Sequence, residues 1–347
     1  MPISTSPSLS SESRAQLAKR TIGRNNGLSV SSIGFGCMGL SEFYGATDDK
    51  TALLVLDRAF DLGVTFFDTA DMYGHGHNER LLSQFLQRHK SNDIKIATKF
   101  GISRDPAGGY ARSLNNSPEY IRNACEASLK RLSVEHIDLY YVHRVDQSVP
   151  IEETVGVLSK LVADGKIGHV GLCEVSTATL RRAHAIHPVT ALQTEYSLWT
   201  RDIEVEMLPV CRQLGVGVVA YSPLGRGFLT GRLTRPESLD NNDFRRLSPR
   251  FDASNFSNNL RLLTTLEDLS KARGVSPGQI AIAWLLSRGE DIVPIPGTKR
   301  LTYLEENISA AQVTLRDDEM RVLDEAFPVG AAYGDRYPLE GMKGLNA

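Results

Sequence analysis

The chain has 347 residues, of which 41% are apolar and 23% charged, with a formal net charge of −2. That length allows a large core, the composition is that of a soluble globular protein, and the charge gives no general pull toward nucleic acid or anionic membranes. Cys37, Cys125, Cys173 and Cys211 lie far apart in apolar segments with no CxxC or Cys/His cluster, which points to reduced thiols in a cytoplasmic protein rather than to disulfides or a metal site.

In chain order, residues 1–19 are rich in Ser and lack apolar patterning, so they are expected to be disordered. They contain no secretory apolar region, and nowhere does an apolar run reach the roughly 20 residues needed to span a bilayer. Asn26–Gly27 is a hairpin turn signal inside residues 20–30. A short strand is expected over residues 32–39, a helix over 50–62 with Asp48 or Asp49 at its start, a strand over 66–70 and a helix over 79–88. The alternation goes on with strands at 94–100, 137–143, 169–174, 191–196, 216–221 and 292–295. Helices are expected at 118–132, 151–164, 177–186, 205–214, 259–273, 277–287, 301–310 and 315–327. Ser117 caps the first of these, with Pro118 at its first position. Residues 101–117 and 225–259 read as long polar loops of the kind that carry function.

Eight strands alternating with helices predict parallel pairing with right-handed crossovers. A doubly wound open sheet is the competitor, but no GxGxxG leads from a strand into a helix. The expected fold is therefore a single (β/α)8 TIM barrel over residues 20–347, with an N-terminal β-hairpin and extra C-terminal helices.

In such a barrel the loops after the strands share the catalytic face. The stretch Gly63–Glu79, GVTFFDTADMYGHGHNE, puts Asp68 at the end of a strand and Tyr73 on the loop beyond it. Lys99 and His143 end the third and fourth strands. Each has an ordinary reading, as a turn residue, a snorkelling lysine or a core histidine. Four together on adjacent strand ends point to a catalytic site.

In the frames FDTADMYG, ATKF and YYVHR, these four residues resemble the catalytic tetrad of the aldo-keto reductase superfamily. The resemblance runs from about Arg20 to Leu323 and includes AYSPLGRGFLTG at Ala220–Gly231 and IPGTKRLTYLEEN at Ile295–Asn307. GDRYP at Gly334–Pro338 is similar to the microbial, fungal and plant branch that includes pyridoxal reductase-like enzymes. The resemblance implies reduction of an aldehyde or ketone by NADPH. Tyr73 would donate the proton, Lys99 would lower its pKa, Asp68 would hold Lys99, and His143 would hold the carbonyl oxygen.

The cofactor contacts are likewise implied. Gly36, Cys37 and Met38 would line the nicotinamide end, with Asp68 serving both sets. Gln193 would hold the carboxamide and Tyr221 would stack on the ring. Ser222, Pro223, Leu224, Gly225 and Arg226 would meet the pyrophosphate. Gly297, Thr298, Lys299 and Arg300 open the last barrel helix, where an anion is favoured, and imply NADPH over NADH. Glu306 and Asn307 would contact adenine. The chain departs from the family twice: Cys173 and Glu174 stand where Ser-Asn often grips the carboxamide, and Tyr303 replaces an Arg one turn into the last helix. The expected partner is a small carbonyl compound, with no nucleic acid or membrane. Arg144, Trp199, Arg250 and Tyr333 are candidates to reach the substrate pocket. The alternatives are a cofactor-binding regulatory subunit resembling potassium-channel β subunits, and an alcohol or sugar dehydrogenase running in the oxidative direction.

Overall fold

Short apolar runs that end in a polar residue set the architecture. A computed structural model describes residues 16–24, 27–45, 47–104, 112–241, 243–342 and 344–347. The expectation of disorder for residues 1–19 falls, over 1–15, outside the described residues, as does Asn26 of the expected turn.

Strands β1 (Lys19–Ile22) and β2 (Leu28–Ser31) form an antiparallel hairpin. There follow β3 (Phe35–Gly36), α1 (Asp49–Asp61), β4 (Phe66–Asp68), α2 (His77–Arg88), β5 (Lys95–Phe100), β6 (Ile102–Arg104), β7 (Arg112–Leu114), α3 (Pro118–Leu132), β8 (Ile137–Val142) and α4 (Ile151–Ala163). The chain continues through β9 (Ile167–Cys173), α5 (Thr177–Ile186), β10 (Val189–Glu195), α6 (Met207–Leu214), β11 (Gly217–Tyr221), α7 (Ala253–Leu260), α8 (Leu263–Arg273), α9 (Pro277–Ser287), β12 (Ile292–Pro294), α10 (Leu301–Ser309), α11 (Asp317–Ala326) and α12 (Leu339–Met342).

Eight of these strands form one curled parallel sheet in the order β3-β4-β5-β8-β9-β10-β11-β12. The curl brings its two ends together: the Gly34 N–H donates to the Pro294 carbonyl at 2.9 Å. A Cβ on Gly36 would lie 2.7 Å from the Ile295 oxygen, and one on Gly297 would lie 2.4 Å from the Gly36 oxygen. The seam of the (β/α)8 barrel is thus glycine against backbone. The helices lie outside, and their caps match the sequence expectation. Asp48 accepts from the Thr51 N–H at 2.9 Å, and Ser117 caps α3.

Side chains alternate across the barrel wall. Phe66, Ala97, Leu139, Tyr141, Cys173, Ala191, Val219 and Val293 pack inside, joined from below by Ile22, Leu28 and Val30 of the hairpin. Phe67, Ile96, Tyr140, Leu172, Leu192 and Val218 face the helices. Arg20 fastens the hairpin, donating to the carbonyls of Ile292 (2.5 Å), Leu286 (2.7 Å) and Gly289 (3.0 Å).

Two expected loops carry structure. Within residues 101–117, β6 and β7 pair antiparallel, because Ile102 and Leu114 can bury one face of a ribbon. Within residues 225–259, short 3-10 turns at Gly225–Thr230, Pro236–Ser238, Phe244–Leu247 and Pro249–Phe251 lead to α7, and the next helix begins at Leu263 rather than Asn259. Among the described residues, no helix is long and apolar enough to cross a membrane.

Candidate active site

The interior pleat fixes which side chains meet at the barrel mouth. Asp68 is two residues beyond Phe66, Lys99 two beyond Ala97, and His143 two beyond Tyr141. Each keeps the inward parity of its strand where the apolar filling ends. Lys99 has no exposed surface. Its Nζ donates to Asp68 Oδ1 at 2.5 Å and to the Thr69 carbonyl at 2.7 Å. The other carboxylate oxygen, Oδ2, accepts from Gln193 Nε2 at 2.7 Å. The Tyr73 ring centroid lies 5.4 Å from Lys99 Nζ, and the His143 ring stands against Tyr73 edge-on, with centroids 5.9 Å apart. The four tetrad candidates therefore come together, with Gln193 tied into the same cluster.

Burial and charge act against each other here. Burial opposes a charge on Lys99, but Asp68 more than offsets it, and the ammonium is held above its ordinary value. Burial pushes the Tyr73 phenol well above its ordinary 10, and the Lys99 charge pulls it back only in part. Lys99 acts in the expected direction; desolvation is the larger effect. Tyr73 therefore stays protonated at neutral pH.

The loop that carries Tyr73 is clamped by Asn78, a residue the sequence reading passed over. Asn78 has no exposed surface. Its Nδ2 donates to the Cys37 carbonyl (2.9 Å) and to Ser41 Oγ (2.7 Å), while its Oδ1 accepts from Thr69 Oγ1 (2.6 Å). The available signal was an amide just inside the helix that follows a Gly-rich loop.

Gly36, Cys37 and Met38 adjoin the seam, and the Cys37 N–H donates to the Asp68 carbonyl at 2.8 Å. Beyond β11, Ser222, Gly225, Arg226 and Gly227 have φ of 51°, 55°, 57° and 91° while Leu224 stands at −100°, a tight turn that mixes right- and left-handed residues, as anion-binding nests do. Pro223 and Leu224 lie within it. Arg226 Nη1 is buried and has no hydrogen-bond partner, while Nη2 donates to Glu195 at 3.3 Å. Gly297, Thr298, Lys299 and Arg300 lead into α10. Lys299 Nζ donates to the Tyr44 carbonyl at 2.5 Å. Arg300 donates to the Tyr303 hydroxyl at 3.1 Å, and Arg232 lies 4.2 Å from the Tyr303 ring. Glu306 accepts from Arg232 (2.5 Å) and Ser276 Oγ (2.6 Å), and Asn307 is buried beside it.

Cys173 ends its strand buried, and burial pushes its thiol up to about 12. Glu174 is committed within the protein, to Arg336 and Tyr221. Of the four substrate candidates, Trp199 stacks on Phe228 with ring centroids 4.0 Å apart. Arg250 donates to Thr200 Oγ1 at 2.6 Å and lies over Trp199. These two are structural supports of the loop after β11. Arg144 is buried next to His143, and Tyr333 is exposed on the tail.

The comparisons with known proteins agree with one another. A family model described as Aldo/keto reductase family matches residues 32–327. Probable aldo-keto reductase 1 of Glycine max is 49% identical over 325 residues, 93% of each chain. The NADP(+) aldo-keto reductase yakc of Schizosaccharomyces pombe is 47% identical over 313 residues, covering 89% of this chain and 92% of its own. Among solved structures, the glycerol dehydrogenase AKR11B4 from Gluconobacter oxydans aligns with a TM-score of 0.81 at 28% identity, over 89% of this chain and 94% of its own.

Proposed function

This chain belongs to the aldo/keto reductase family, and from that premise we propose that it is an NADPH-dependent enzyme that reduces aldehydes or ketones to alcohols, with Tyr73 as the proton donor. The observation that carries the reading is the buried Asp68–Lys99 pair beside Tyr73 and His143. A soluble core has little reason to bury a lysine completely beneath a phenol. A reductase does, because the phenol must lose a proton as the substrate oxygen gains one.

The donor groups at the mouth fit a phosphorylated dinucleotide. Arg226 Nη1 is a buried cationic donor without a partner, next to a tight turn suited to a pyrophosphate. Lys299 and Arg300 sit at the start of α10, where the helix dipole also favours an anion, which supports NADPH over NADH. The Schizosaccharomyces pombe relative is named for NADP(+). When bound, NADPH supplies the hydride. Tyr73 holds the proton for the carbonyl oxygen and gives it up as an alcohol forms. Lys99 stabilises the phenolate left behind, and Asp68 keeps Lys99 charged and aimed. His143 orients the substrate oxygen. Read in reverse, the same groups oxidise an alcohol; the glycerol dehydrogenase among the related structures makes polyols worth assaying. Four buried thiols suit a reducing compartment, which supports a cytoplasmic enzyme.

The test is Tyr73→Phe. Turnover of an aldehyde such as 4-nitrobenzaldehyde is expected to fall about 10²–10⁴-fold, with NADPH affinity retained. Near-normal turnover would overturn Tyr73 as the donor.

A further inference from the structure

Two sequence features left unexplained by the catalytic reading meet in the structure. Glu174 stands where the family often has an amide, and Arg336 belongs to the GDRYP segment of the tail. They form a two-pronged ion pair: Arg336 Nη1 donates to Glu174 Oε1 at 3.1 Å and Nη2 to Oε2 at 3.0 Å. Glu174 Oε1 also accepts from the Tyr221 hydroxyl (2.7 Å), the Glu195 N–H (2.9 Å) and Thr194 Oγ1 (3.2 Å). We propose that Arg336 is a positioning residue: by fixing the Glu174 carboxylate it fixes Tyr221, so that the C-terminal segment is a wall of the cofactor site. The proposal rests on the reading of Tyr221 as the nicotinamide-stacking residue.

The rest of the tail is built to hold Arg336 in place. Ser248 Oγ donates to the Arg336 carbonyl (3.2 Å), and Arg250 Nε donates to the Gly334 carbonyl (3.3 Å). The side chain of Asn259 takes both the N–H and the carbonyl of Tyr333. Further on, the Asn346 N–H donates to the Glu174 carbonyl at 2.8 Å and the Ser176 N–H to Ala347 at 3.1 Å. Tyr337 completes the wall. Its hydroxyl is 3.0 Å from that of Tyr221, and its ring lies 4.4 Å from the Arg226 guanidinium. The tail therefore touches both the proposed stacking residue and the proposed pyrophosphate residue. Glu174 itself is held at φ 54°, a conformation strained for a non-glycine residue that persists only where the surroundings over-determine it.

The charge on Glu174 gives the proposal its signature. Burial favours the neutral acid, but Arg336 first and Arg144 second outweigh it and keep the carboxyl below its ordinary value. The other groups facing it are Tyr221, the Glu195 N–H, Thr194 and Cys173. Without Arg336, burial is opposed mainly by Arg144, and the carboxyl pKa rises. At low pH the neutral acid is a weaker acceptor for the Tyr221 hydroxyl, and the ring is released. At high pH the carboxylate forms again and recaptures it.

The experiment titrates NADPH into the full-length protein, following tryptophan fluorescence from about pH 6 to about pH 9. The readout is the ratio of the Arg336→Met dissociation constant to that of the wild type, which cancels ionisation of NADPH itself. The ratio is expected to be about tenfold at the acid end, the loss of one charge-assisted hydrogen bond, and to shrink as the pH rises. In the double variant Arg336→Met/Glu174→Gln it is expected not to change with pH. Arg336→Lys keeps the charge without the fork; it is expected to weaken NADPH binding by a factor that does not vary with pH, and it carries the test if Arg336→Met does not fold. A ratio near one at every pH, a tenfold loss that is equal at every pH, or wild-type affinity in Arg336→Lys would overturn the proposal. A wild type that binds no NADPH would instead overturn the functional reading it rests on.

Discussion

Lys99, fully enclosed, has to be explained by its neighbours. An unpaired buried ammonium costs several kcal/mol, and here Asp68 and the Thr69 carbonyl offset that cost. Asp71, on the same loop as Tyr73, is the opposite case. Its Oδ1 is buried without a hydrogen-bond partner, and the residue lines a cavity of about 210 Å³ together with His75, Arg104, Tyr120 and Arg131. Burial, with Glu79 adding to it, raises its pKa from 3.8 to about 8. The folded state thus holds a proton that the unfolded chain releases near pH 4. Stability falls as pH climbs from there and levels off above about pH 8. Asp71→Asn removes that loss, so its melting temperature is expected to exceed that of the wild type by a margin that grows from pH 5 to pH 8. Parallel thermal melts across that range would check it; an equal margin at every pH would contradict it. The sequence made Asp68, Lys99 and His143 legible because each ends an apolar run, and Tyr73 because it follows Asp68 on the same loop. It did not reveal that desolvation of Tyr73 outweighs the pull of Lys99, since depth is a property of the packed barrel.

At the scale of elements, parity does most of the placing. Asp68, Lys99, His143, Cys173, Gln193 and Tyr221 all keep the inward step of their strands, and that could be counted in the sequence once the strands were recognised. The two long loops were harder. The β6–β7 ribbon has only three residues per strand, too short for alternation to stand out, and the 3-10 turns of residues 225–259 leave no helical period. Barrel closure depends on the β3–β12 seam, where the Gly36 oxygen faces Gly297. Gly297→Ala pushes a methyl group against that oxygen and is expected to destabilise the protein by about 1–3 kcal/mol, the usual cost of overpacking. Urea unfolding would measure it, and an unchanged midpoint would show that the seam is loose.

Across the whole molecule, the two ends of the chain close the two ends of the barrel. The N-terminal hairpin plugs the floor with Ile22, Leu28 and Val30, and its Asn-Gly signal made it readable from the sequence. The C-terminal tail lies across the mouth and binds residues 162 positions away in the chain. No local pattern announces such a partner, so GDRYP could be read only as a mark of kinship and Glu174 only as a departure from it. The central claim is that the assembled mouth carries out NADPH-dependent carbonyl reduction. The most direct measurement is NADPH oxidation, followed by absorbance, against pyridoxal, 4-nitrobenzaldehyde, methylglyoxal and a quinone, with NADH in parallel. The account predicts turnover of at least one carbonyl class, faster with NADPH than with NADH. Binding of neither nucleotide, or no turnover of any of these carbonyls with NADPH bound, would contradict it.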